Sequence, residues 1–426
     1  MATDPSPKPD ASKVLAQELM GEGPSQRGKS RWRKIGDLVL VPLLSVFTAL
    51  LIGAVIIVLS SENVWIAFRD SIGAGLRTSL ELIASTYAAL FAGAIGDPAK
   101  IRAALESGDP MAIRRAFNPF FETLVASTPY IYGGLAVALG FRGGLFNIGV
   151  EGQLFIGAIT SAFVGYSLVG LPLWIHLPLT ILAGFAGGAL WGFIPGYLKA
   201  RTGAHEVINT IMLNYIAFRL SDWLLTGPMK RPDSFNPVSP FIQDTAKLPR
   251  FFDSPIRFHA GFFLALIVAY LVYWFLFKTR WGFDLRSVGA NLHAARYAGM
   301  SIFLWTVMAM TLSGGLGGLA GSNEVLGVNY NLAMAFSSGY GFDSIALALL
   351  GKSHPLGVVL SALLFGALRN GATRMMVVSG IPIDIISILQ ALILAFIAAP
   401  AIIRTIYRLK APEEGDEGIA LRGWGS

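Results

Sequence analysis

Three polar side chains interrupt the run GLFNIGVEGQLFIGA at residues 144–158: Asn147, Glu151 and Gln153 stand among glycine and hydrocarbon. A carboxyl and two carboxamides could carry a proton, hold an ion or hydrogen-bond a polar solute. Glu151 is the most informative, because an ionisable group at membrane depth is costly and normally faces a bundle interior or a cavity. On one continuous helix Asn147 and Glu151, four residues apart, share a face, and Gln153 points nearly the other way from Glu151. Asn147 and Gln153 therefore keep two readings, hydrogen bonding between helices or the lining of a polar route.

A second cluster, GAHEVINTIMLNYIAFR at 203–219, brings His205, Glu206, Asn209 and Asn214 to the start of an apolar stretch. HEVIN begins like the helix of a zinc protease, but Asn209 stands where the second histidine is required, so no metal site is expected. His205 and Glu206 fit the edge of a membrane after Lys199 and Arg201, with Glu206 favoured by a helix N-terminus. The run ALALLGKSHP has the Gly-Lys-Ser of a phosphate loop, yet Ala346 replaces its first glycine, so no nucleotide site follows. Asp343, just upstream, could line a route or simply cap a helix. With no cysteine in the chain, thiolate metal sites and cysteine nucleophiles are excluded. No serine–base, paired-aspartate or histidine-rich pattern suggests catalysis.

The elements that must hold these residues are membrane helices. Of the 426 residues 54% are hydrophobic and only 14% charged, with a mean hydropathy of +0.59, too apolar for a soluble chain of this length. A span needs about 20 apolar residues, and long apolar blocks argue for helices rather than alternating barrel strands. The expected fold is an all-α polytopic transmembrane bundle of about 8–10 segments. The net charge of +7 sits beside the apolar blocks instead of forming a nucleic-acid stripe, and reads as a topology signal.

Residues 1–34 read as a cytoplasmic disordered tail with no signal-peptide core before its basic cluster, so the first apolar run, 35–60, should remain as an anchor. Residues 61–118 are weakly hydrophobic, and Ser71–Ile95 could be an interfacial helix or a span. Spans are expected near 122–141, 146–167, 171–198, 204–225, 258–277, 301–321 and 381–402. Between them lie an external loop, 226–257, rich in Pro, Asp and Ser, and a cytoplasmic loop, 278–300, carrying Lys278, Arg280, Arg286 and Arg296. The tail 404–426 is also expected to be cytoplasmic, so an even number of crossings must separate it from residue 300. Block 341–370, interrupted by GKSHPLG, then either enters and returns as a broken segment or crosses once with another span miscounted. The repeats Gly184-x-x-x-Gly188, Gly314-x-x-x-Gly318 and Gly317-x-x-x-Gly321 predict close helix packing. Asn291 can cap a two-turn helix, LHAARYA, that Gly299 ends.

GLFNIGVEGQLFIGA, GAHEVINTIMLNYIA, RSVGANLHAARYAGM and GYGFDSIALALLGKSHPLG together resemble, over about 120–402, the inner-membrane permease of an ATP-binding cassette importer of the simple sugar and nucleoside branch. The apolar blocks put the transmembrane permease domain at 35–403, and the resemblance, which residues 1–118 carry little of, implies that Arg286, Gly289, Asn291, Ala294, Ala295, Tyr297, Ala298 and Gly299 form a coupling helix region docking on a cytoplasmic ATPase. It implies ATP and Mg on that ATPase and no cofactor on this chain. It also implies a second permease, often a different and shorter chain, and a periplasmic or lipid-anchored binding protein. The setting would be a bacterial inner membrane with both termini cytoplasmic. Asn147, Glu151, Gln153, Asn209, Asn214 and Asp343 are the candidate lining of a path for a nucleoside, or alternatively a pentose or hexose. A competing reading is an ion-coupled secondary transporter with Glu151 as its proton or sodium site.

Overall fold

The computed structural model describes residues 27–380 and 384–409. The predicted tails beyond those limits lie outside the described residues. The described residues form sixteen α-helices. The first four are α1 (Arg27–Ser60), α2 (Glu62–Asp70), α3 (Ile72–Ala94) and α4 (Pro98–Ser107). The central set is α5 (Pro110–Arg142), α6 (Val150–Ser167), α7 (Leu173–Thr202), α8 (Glu206–Thr226) and α9 (Gly261–Lys278). Then follow α10 (Arg280–Ala290), α11 (Leu292–Tyr297), α12 (Ile302–Asn323), α13 (Tyr340–Leu350), α14 (Pro355–Ser379), α15 (Asp384–Ala398) and α16 (Pro400–Ile406). Helix α1 starts inside the segment expected to be a disordered tail. The block expected at 381–402 divides between α15 and α16 before Pro400, whose ring cannot continue the ladder.

Among the described residues six helices are long and apolar enough to cross a membrane: α1 from Leu43, α5, α7, α9, α12 with its extension to Asn329, and α14. Helices α3 and α4 qualify only as one segment bent by 49°. The ambiguous stretch at 61–118 thus holds the short α2, the apolar α3, the short α4 and the first turns of α5. Helices α6 and α8, of 18 and 21 residues, match a span in length and pack within the bundle; polar residues lower their hydropathy.

Glycine brings the central helices together. A Cβ on Gly188 of α7 would lie 2.3 Å from the Gly314 carbonyl oxygen and 2.7 Å from the Gly318 Cα of α12. One on Gly157 of α6 would lie 2.3 Å from Gly318 Cα, and one on Gly321 would lie 1.9 Å from the Leu154 carbonyl oxygen. In lipid, where apolar side chains gain nothing from leaving the solvent, such backbone contact is what makes helices associate. The paired Ser161 and Ser322 hydroxyls, 2.5 Å apart, add a buried hydrogen bond between α6 and α12.

The first helices are bound to the last. Asn370 of α14 donates to the carbonyls of Gly93 and Pro119, at 2.9 and 2.8 Å. A core of Ala49, Ile57, Leu90, Leu368, Ala372, Met375 and Leu389 joins α1, α3, α14 and α15.

The bundle has two distinct ends. At the loop end, segment 227–260 lies over α6 and α12: Gln243 N–H donates to Gly165 O at 2.9 Å, Leu248 N–H to Leu326 O at 2.9 Å and Ile242 N–H to Tyr330 O at 3.0 Å. Arg257 bonds both oxygens of Glu122 from α5. Burial, with Arg250 and Arg257 nearby, pushes the His259 imidazole down to about 4, so it is neutral where its Nδ1 accepts from Gly261 N–H. At the elbow end stand α10 and α11, and the α7–α8 turn is held there by Lys199 and Glu206 at 2.9 Å.

Replacing Gly188 with Val should lower stability by roughly 1–3 kcal/mol or more through forced separation of α7 and α12. Gly73→Ala, whose Cβ meets nothing within 4 Å, should be neutral or mildly stabilising. Thermal unfolding of both variants in detergent checks the contrast.

Candidate functional site at the broken segment

The interruption expected in 341–370 is present, with a consequence for everything around it. After α12 the backbone forms a π-helical turn over Glu324–Asn329 and then runs without regular structure over 330–339. Helix α13 follows with 11 residues, about 16 Å of rise, half of a hydrocarbon core. The turn at 351–354 then leads into α14, where Arg142 of α5 donates to the Ser353 and Lys352 carbonyls at 3.0 and 3.2 Å.

Glu151 sets where α13 begins. Its Oε2 accepts from the Gly341 N–H at 2.5 Å, and the side chain is only 3% exposed. Glu151 precedes Gly165, which touches the loop end, by 14 residues, so α13 starts about 21 Å below that end. A helix starting at such depth has unpaired N–H groups and no water to satisfy them; a carboxylate suits both the missing bonds and the positive end of the dipole.

Helix α6 itself starts inside the bundle, and here the sequence reading needs correction. Asn147 does not share a helical face with Glu151, because α6 begins at Val150. Gly144, at φ +72°, and a side-chain turn in which Asn147 Oδ1 accepts from Gly149 N–H at 2.9 Å end the preceding helix and delay the next. Asn147 Nδ2 donates to Gln153 Oε1 at 2.9 Å and Ser313 Oγ at 2.8 Å. Asn214 of α8 accepts from Gly152 N–H at 2.8 Å and donates to Ile148 O at 3.0 Å. All three are about 1% exposed, so their bonding capacity goes to closing the entry into α6. Asn209 is half-buried, and its Nδ2 has no protein partner.

Asp343 lies on a more open cluster. Its Oδ2 accepts from the Tyr130 hydroxyl at 2.8 Å, and that hydroxyl accepts from Arg369 Nη1 at 2.6 Å. Arg369 also approaches Asp343 at 3.6 Å, donates to the Ser338 hydroxyl and lies over the Tyr340 ring at 4.9 Å. The Arg369 and Asp343 side chains are 28% and 34% exposed, and Ser338, the partner of Arg369, and Phe342, next to Asp343 in the chain, are exposed as well. Irregular backbone and charge at membrane depth are tolerated only against protein or a water-filled cavity. The structure thus unites Glu151 and Asp343 on either side of the start of α13, and adds Arg369, Tyr130 and Ser338, which the sequence reading missed. Arg369 could have been found by the argument applied to Glu151, since it sits in the same apolar block.

The elbow has two faces. Asn291 Oδ1 accepts from His293 and Ala294 N–H, both at 3.0 Å, and Gly299, at φ +77°, follows the helix end, as expected. Asn291, Ala294, Tyr297, Ala298 and Gly299 are exposed; Tyr297 is 97% so. Ala295 is 3% exposed, Arg286 Nε donates to Leu276 O at 2.9 Å, and a Cβ on Gly289 would lie 2.4 Å from the Arg142 carbonyl oxygen. These three join the elbow to the bundle. Gly289 also abuts Gly144, the start of the turn that carries Asn147.

A family model described as the permease component of branched-chain amino acid transport systems matches residues 120–398. The chain belongs to this permease family. It is 38% identical to the guanosine ABC transporter permease protein NupP of Bacillus subtilis, over 86% of this chain and 95% of NupP. It is 31% identical to the nucleoside ABC transporter permease protein NupB of Lactococcus lactis, over 90% of this chain and 97% of NupB. The glucose ABC transporter permease protein TsgB13 of Haloferax volcanii is 38% identical over 65% of this chain and 75% of its own length. No solved structure matches the chain. The permease family match begins inside α5 and ends with α15, so it takes in the broken segment, both caps and the elbow. Among the described residues no group of three or more His, Cys, Asp or Glu side chains could hold a metal ion.

Glu151→Leu removes the cap of α13 and should cost about 1–3 kcal/mol, the penalty for leaving a buried N–H unpaired; Glu151→Gln, which keeps an acceptor, should cost less. Detergent melting curves of the two variants measure the difference, and equal melting of Glu151→Leu and the parent would remove the capping role.

Proposed function

We propose that this chain is the permease subunit of an ATP-driven importer and forms one wall of the path by which a nucleoside crosses the membrane. The observation that carries the reading is the irregular segment 330–339, which runs from the loop end, where Tyr330 and Leu332 pair with the 227–260 segment, inward to the start of α13 beside Asp343 and Arg369. A hydrophilic solute can pass such a wall, and a second permease subunit would close it from the other side. The long matches to the guanosine and nucleoside permeases support the substrate class. The match to a glucose permease supports a sugar as the second reading.

In this reading the elbow end faces the cytoplasm. The exposed face of α11, with Ala294 and Tyr297, seats an ATPase that holds the ATP and Mg, and the loop end receives solute from an external binding protein. Force entering α11 passes through Ala295 and Gly289 to the Gly143–Gly144 turn, and from there to the starts of α6 and α13. Alternating access is then a rocking of packed helices about those starts. Within the path, Asp343 becomes a direct lining residue. Glu151 holds the wall in position, and Asn147, Gln153 and Asn214 support it from behind. Asn209 stands on the same helix α8, five residues before Asn214 and nearer the elbow end. The ion-coupled reading loses its main support, because the carboxyl it would use caps α13.

Uptake of labelled guanosine by cells carrying the full transporter should vanish when the ATPase subunit is deleted and persist when the ion gradient is collapsed at constant ATP. The opposite pattern would end the importer reading. Ala294→Glu should reduce recovery of the ATPase with the permease and leave the permease melting temperature unchanged, whereas Ala295→Glu should lower both. Normal ATPase recovery with Ala294→Glu would move the docking surface elsewhere.

A further inference from the structure

We infer that the nucleobase stacks on Phe336 during passage and that the sugar hydroxyls meet the Asp343 carboxylate, which Arg369 and Ser338 tie to the same segment. This rests on the nucleoside reading above and specifies its recognition chemistry. Phe336 stands in the irregular segment two residues before Ser338, the partner of Arg369. Its ring is held from behind by Phe155 of α6, with centroids 4.8 Å apart and planes at 53°. Phe155 is in turn braced edge-on by Phe218 of α8 at 4.8 Å, and Phe218 by Tyr215 at 6.1 Å. Phe155 is 6% exposed and Tyr215 61%, while Phe218 and Phe336 are half-buried. Phe336 and Tyr215 are the two ends of the series, with the buried Phe155 as its fixed base and Phe336 keeping part of its ring uncovered.

Three separate elements, α6, α8 and the 330–339 segment, supply these rings, so the panel is a tertiary construction and not a by-product of one helix's composition. A ring so braced offers its free face with little entropy left to lose, and every base has a π-face to set against it. A carboxylate suits vicinal hydroxyls because it accepts from both. Asp343 is already oriented by the Tyr130 hydroxyl at 2.8 Å and by Arg369, and a third of it is still open. Panel and carboxylate together fit a base joined to a ribose.

The test uses the complete transporter in membrane vesicles, with initial uptake of guanosine, 2′-deoxyguanosine and uridine measured at external solute well below half-saturation, where the rate follows affinity. Phe336→Ala should lower guanosine uptake about tenfold, the loss expected for one base–aromatic stack. Uridine, with a smaller ring, should lose less, and Phe336→Tyr should restore both. Asp343→Asn should shrink the parent's preference for guanosine over 2′-deoxyguanosine. Equal losses for guanosine and uridine in Phe336→Ala, or no loss at all, overturn the stacking while leaving the nucleoside reading intact. A parent transporter that moves glucose and none of the three nucleosides overturns both. The amount of intact complex recovered for each variant separates misfolding from lost recognition, and Phe336→Tyr, which keeps the ring, decides the matter if Phe336→Ala does not assemble.

Discussion

A helix that starts within a bilayer has up to four N–H groups without partners, and hydrocarbon supplies none. This constraint governs the centre of the protein. Two helices begin there, α6 after the Asn147 turn and α13 after the irregular segment 330–339. Each start is closed by a side chain from another element. Asn214 of α8 accepts from the Gly152 N–H, and Glu151 of α6 accepts from the Gly341 N–H. The closures are linked in series, so α8 holds α6, and α6 holds α13. Displacing one start would disturb the next, which gives a conformational change a physical route through the molecule.

Close backbone approach is what keeps that series in register. Gly157, Gly188, Gly314, Gly318 and Gly321 let α6, α7 and α12 meet nearly backbone to backbone, leaving little slack for side chains to absorb a shift. The same device recurs where Gly289 of α10 meets Gly144. A push on the elbow would therefore act on the turn that carries Asn147 without first compressing flexible side chains. The open cluster of Tyr130, Ser338, Asp343 and Arg369 lies beyond α6, along the half-helix whose start is pinned. Its donors and acceptors are matched within the chain, with Tyr130 buried beneath and Ser338, Asp343 and Arg369 partly uncovered, which suits the proposed wall for a weakly held solute. A tight site would slow release on the far side.

Much of this was legible from residue types alone. Helical spans, glycine pairs, the break at GKSHPLG and the Asn291 cap all follow from local rules in which a residue and its near neighbours determine the outcome. The cost of placing Glu151 in hydrocarbon was also evident, but its partner was not. Gly341 lies 190 residues away, and no local pattern names it. Asn147 was misplaced because a uniform helix was assumed through a segment where two glycines and a side-chain turn interrupt it. Among the elbow residues, the cap and the terminating glycine could be assigned, whereas the inward position of Ala295 depends on how α11 lies against the bundle.

The sequence by itself determined the class of protein: an apolar chain of membrane helices, broken at a definite place, with ionisable groups that had to be sheltered. Those conclusions come from transfer energies and backbone chemistry, which act residue by residue. Only the tertiary structure decided which polar groups close helix starts and which remain open along a wall, and it alone assembled Phe155, Phe218 and Phe336 into one panel. The physical reason is that satisfaction and exposure belong to pairs of groups distant in the chain, and the folded packing chooses the pairs.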